Sequence, residues 1–135
     1  MDLAAIYPDG ILMAVLRPQL PDAGVGTEQP ADVMARLPYL VARETPGAGD
    51  TDDRFAQAVG VQLDAYATTR REARQLAGMA LLLLRQAQRD QTVTPDGYLA
   101  QLTVTAFPFE LREADQPSGF ARYVATVSTI VRPPA

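Results

Sequence analysis

The sequence predicts an α+β fold, a mainly antiparallel sheet of four to five strands with two helices packed on it. Three observations carry that expectation. Residues 59–66 alternate apolar with polar or small side chains, the period-2 mark of a half-buried strand. Residues 69–87 set an apolar stripe at helical spacing behind a capping sequence. Two further β-like runs, 98–109 and 121–132, follow that helix. At 135 residues the chain has the length of one domain, and residues 1–135 are read as one.

The elements follow in order. Pro8 and Asp9 start a short helix in which Ile11, Leu12, Val15 and Leu16 share a face. Pro18 and Pro21 stop it, because proline removes a helical hydrogen bond and clashes with the preceding turn. The passage "PDAGVGTEQPAD" is loop, with one short strand around Val25. Leu37 to Glu44 form a strand that runs into the Gly- and Asp-rich tip "TPGAGDTDD". The strand on the far side of that tip sets Val59, Val61, Leu63 and Ala65 against Gly60, Gln62, Asp64 and Tyr66, so the pair is a hairpin.

The second helix opens at "TRRE", with Thr69 as N-cap and Glu72 three residues on. Its core stripe is Ala73, Leu76, Ala77, Ala80, Leu84 and Ala87. Met79, Leu81, Leu82 and Leu83 widen the apolar surface beyond one stripe, and a helix apolar nearly all round is covered on more than one side. The second cover expected here is another subunit. A turn at Pro95, Asp96 and Gly97 leads to "YLAQLTVTAFPF", then to the closing run "ARYVATVSTIVR". The closing run carries Tyr123, Ala125, Val127 and Val131 on one face and Val124 and Ile130 on the other, so both faces ask for cover.

Composition excludes much chemistry. The chain has no Cys, no His and no Lys; every cation is Arg. Disulfides, thiolate metal sites, a Ser-His triad, a phosphate-loop lysine and a Schiff base are therefore ruled out. The net charge is −4, which disfavours a phosphate-gripping face. No stretch approaches the length of a membrane span, and "MDLAAIYPDG" lacks the basic n-region of a secretory signal. A cytosolic protein or a particle component is expected.

The remaining motifs are weak. Asp50, Asp52 and Asp53 could gather a hard cation, but the EF-hand spacing fails and a solvated hairpin tip suffices. "TPGAGD" lacks the rest of a phosphate loop and is a flexible turn. Asp64 and Glu110 show no sign of converging as an acid–base pair. Arg70, Arg71 and Arg74 stand at the helix end that favours acids, so each is either solvated or seeks a partner: Asp64, Glu72 or another chain.

The order strand, Gly/Asp tip, "LDAYATTRREA" and closing "RYVATVSTIVRP" resembles the tail terminator proteins of long-tailed, non-contractile bacteriophages, over roughly Leu37 to Pro134. The resemblance implies a structural virion protein without active site or cofactor. It implies a hexameric ring on the head-proximal end of the tail tube, which stops tube polymerisation and joins the tail to the head-completion (connector) protein. DNA would pass through the lumen without specific binding, with no membrane involved, in a neck assembled in the host cytoplasm. Interface residues expected from it are Arg70, Arg71, Arg74, Met79, Leu82 and Arg122, with Asp50, Asp52 and Asp53 of a neighbour facing the arginines. The rivals are another neck component, a small α+β ligand-binding or enzyme-like domain, and a module that adds a partner strand at a sheet edge.

Overall fold

The computed structural model describes residues 5–47, 49 and 55–134. Helix α1 spans Pro8–Leu16, with proline at its first turn and no need for the amide it lacks. Asp9 accepts the backbone N–H of Glu44 at 2.9 Å and so ties the start of α1 to the sheet. The helix ends as predicted, in a 3-10 turn at Arg17–Gln19.

Strand β1, Gly24–Gly26, is the short strand expected around Val25. It lies parallel to β2, Tyr39–Pro46, which pairs antiparallel with β3, Gln57–Ala67, through the predicted hairpin. Helix α2, Arg70–Arg89, follows, then β4, Tyr98–Glu110, and β5, Ala121–Arg132. The sheet order is β1-β2-β3-β5-β4, mixed but mostly antiparallel. The closing run is therefore not at a sheet edge: β5 is bonded on one side to β3 and on the other to β4.

The core lies between the sheet and α2. Val59, Val61, Leu63 and Ala65 of β3 and Ala125, Val127 and Val131 of β5 meet Ala73, Ala77, Ala80 and Leu84 of α2. Three alanines on this stripe let the helix approach the sheet closely. Ile11, Leu12 and Leu16 close the core from α1. Each fully buried leucine contributes about 1.5–3 kcal/mol.

The opposite sheet face has its own smaller cluster of Val33, Val41 and Tyr66, with Leu37, Tyr39 and Phe120 packed against it. Phe120 stacks on Tyr66 at 5.5 Å between ring centroids, and Val124 is buried on the same face. Part of the second cover that β5 asks for thus comes from this chain's own loops rather than from a neighbour. Turn geometry explains Gly97: its φ is +123°, and a Cβ there would stand 2.5 Å from the Arg132 carbonyl oxygen.

Candidate assembly interface

Helix α2 positions most of the predicted interface residues. Thr69 caps it, its hydroxyl accepting the Glu72 backbone N–H at 3.2 Å. The Glu72 carboxylate accepts the Thr68 hydroxyl at 3.0 Å, so the acidic half of the capping sequence is spent one residue before the cap. The helix turns its alanine stripe to the sheet, and the rows on either side form two flanks.

One flank carries Glu72, Gln75, Leu76 and Met79 and faces the β1 end of the sheet, where Leu20, Pro21 and Pro38 form a shallow groove with it. The other carries Arg74, Gly78, Leu81, Leu82 and Arg85 and faces edge strand β4, where Val104, Phe107 and Pro108 complete a second groove. Met79, Leu82 and Phe107 are 47 %, 61 % and 71 % exposed. The apolar excess read from the sequence is therefore real, but it is divided: Leu81 is buried within the chain, while Met79 and Leu82 face solvent on different flanks.

The charged candidates separate in the same way. Arg70 pairs with Glu110 at the end of β4, and this bond holds its guanidinium protonated beyond the ordinary arginine range. Glu110 also meets Arg112 at 3.7 Å. The partner of Arg70 is thus neither Asp64 nor Glu72. Arg71 and Arg74 are exposed, and no ion pair joins them to another of the described residues. Asp50, Asp52 and Asp53 lie outside the described residues.

Arg122 turns inward. Its Nη2 and Nε donate to Asp64 Oδ1 at 2.7 and 3.0 Å, while the Gln62 amide donates to Asp64 Oδ2 at 3.0 Å. The guanidinium lies 5.6 Å from the centre of the Tyr66 ring and 4.0 Å from Glu113. Burial, with the Asp64 charge adding to it, raises the Tyr66 phenol above its ordinary pKa; its hydroxyl donates to Gln29 at 3.1 Å. Asp64 and Glu110 are thus each engaged by a different arginine. Among the described residues no group of acidic side chains is placed to hold a metal ion. No helix among them is long and apolar enough to cross a membrane.

Phe107 was not singled out by the sequence, since its exposure follows from β4 being an edge. Bulges between Val104 and Ala106, and again between Ala106 and Phe109, break the strand's alternation around it. Arg85 and the Leu20–Pro21 corner were also missed; only the three-dimensional flanks bring them forward.

The exposed apolar and charged features of α2 lie along two shallow grooves, one of them beside the edge strand β4. Residues 7–116 match the family model described as phage tail termination protein, and the chain belongs to that family. It is a structural tail protein and a virion component. The match takes in α1 and the loop that follows it, which the resemblance seen in the sequence did not use, and stops before β5. Comparison with curated proteins finds no match.

Proposed function

We propose that this protein is the tail terminator of a long-tailed phage: a hexameric ring that caps the head-proximal end of the tail tube, stops its polymerisation and joins the tail to the head-completion protein. The family membership supports the role at the tail end. The observation that carries the ring is the division of α2's exposed surface into two unlike flanks at opposite ends of the sheet. A ring needs one patch to meet a different patch on the next subunit, whereas a two-fold dimer needs one patch that suits itself. DNA passes through the lumen without specific binding, as suits a chain of net charge −4.

The test is growth arrest in solution. Purified tail tube protein is allowed to polymerise with and without this chain, and tube lengths are measured by electron microscopy. Tubes that stop short with a ring at one end support the reading; identical length distributions refute it.

A further inference from the structure

Gly78 sits in the middle of the 20-residue helix α2, where glycine is about 1 kcal/mol worse than alanine. Nothing described within the chain calls for it: a Cβ built there meets no atom within 4 Å. The glycine instead lies in the β4-side groove, between Arg74 and Arg85 and beside Leu82 and Phe107. A glycine without an internal reason, in a groove with apolar walls and a basic rim, leaves room for something to approach the helix backbone.

The opposite flank has the complementary character. Its groove is lined by Met79 and Leu76, and its charged residues are Glu72 and Asp22, with no cation among its lining residues. The β4-side groove has two arginines and no acid among its own. Helical spacing sets the two on opposite sides of the buried stripe, since Glu72, Leu76 and Met79 form one row and Arg74, Gly78, Leu81 and Arg85 another. The two sheet edges differ as well. On β1 the Val25 carbonyl is taken by Arg17 Nε at 3.1 Å, while β4 is a 13-residue edge strand with Phe107 exposed.

We propose that the basic groove around Gly78 receives the acidic flank of α2 from a second copy of this chain, with Met79 of that copy as the inserted side chain. The inference rests on the ring reading and names its contact. Like grooves facing each other would set arginine against arginine, so a two-fold pairing of this groove is disfavoured. The unlike pairing sets Arg74 and Arg85 against Glu72 and Asp22, repeats head to tail and closes into a ring when the rotation permits. Methionine suits the inserted role because its unbranched thioether adapts to an irregular gap.

The chain has no cysteine, so single introduced thiols report contacts without background. Gln75→Cys on one flank and Phe107→Cys on the other are made separately and together, then treated with a short bismaleimide, with native size measured on the same samples. The double variant should give a ladder of covalent multimers on a denaturing gel, and each single variant should stay uncross-linked. Gly78→Leu should raise the unfolding temperature and abolish the multimer, because it improves the helix while filling the groove. Covalent dimers from Phe107→Cys alone, or a Gly78→Leu chain that still assembles, overturn the proposal. Native rings without a ladder overturn this contact and leave the ring reading standing. No multimer and no ladder in any sample overturn both.

Discussion

Arg122 closes over the carboxylate of Asp64, a residue only 2 % exposed, with two nitrogens on one oxygen at 2.7 and 3.0 Å. The bond joins the third and fifth strands at neighbouring positions across the ladder, where Asp64 pairs with Val124 and Tyr66 with Arg122. An arginine that the sequence offers to a neighbour is thus committed inside its own chain.

Removing that arginine strands a buried charge. Arg122→Ala is expected to lower stability by about 3–5 kcal/mol, the range for breaking one partner of a buried pair. Urea unfolding checks it, and the double change Asp64→Leu with Arg122→Leu should recover part of the loss. A single-variant loss below about 1 kcal/mol would show that the pair is solvated.

Two leucines two residues apart on α2 should behave oppositely. Leu84 is fully buried in the core, and Leu84→Ala should cost about 2–5 kcal/mol. Leu82 is exposed, and Leu82→Ser should change the stability of the unassembled chain by no more than about 0.5 kcal/mol while weakening self-association. Thermal unfolding and sedimentation on the same samples separate the two effects.

The cap on α2 has a smaller, local cost. Thr69→Ala removes the acceptor for the Glu72 amide and should cost about 1 kcal/mol, whereas Thr69→Ser should retain most of it. Equal stability of all three forms would show that water serves the amide as well.

Tyr66 gives the fold an alkaline limit. Its folded-state pKa lies above the unfolded value, so the folded chain keeps the phenolic proton longer. The stability this contributes is whole below about pH 10, where unfolded tyrosine is neutral, and is lost as pH rises toward the raised native value. Tyr66→Phe should therefore flatten the decline in stability above that pH. Parallel declines for both forms would assign it to other groups.

The order of elements was legible because each has a local cause: alternation in β3, the Thr69 cap of α2, the proline stop of α1 and the glycine turn before β4. Strand order was legible only in part: β4 and β5 are consecutive and pair as a hairpin, whereas the pairing of β5 with β3 is made across α2 and β4. The β3–β5 pairing leaves β4 at the sheet edge and brings Phe107 forward. The partner of Asp64 stayed hidden for the same reason, lying 58 residues away. The excess of apolar residues on α2 was plain, but its division into a Met79 flank and a Leu82 flank needed the packing against the sheet.

The most direct measurement is the length and attachment of tails in particles assembled without this protein, imaged by electron microscopy. The expected result is overlong tails unjoined to heads, restored to normal when the protein is supplied. Tails of normal length joined to filled heads would contradict the role.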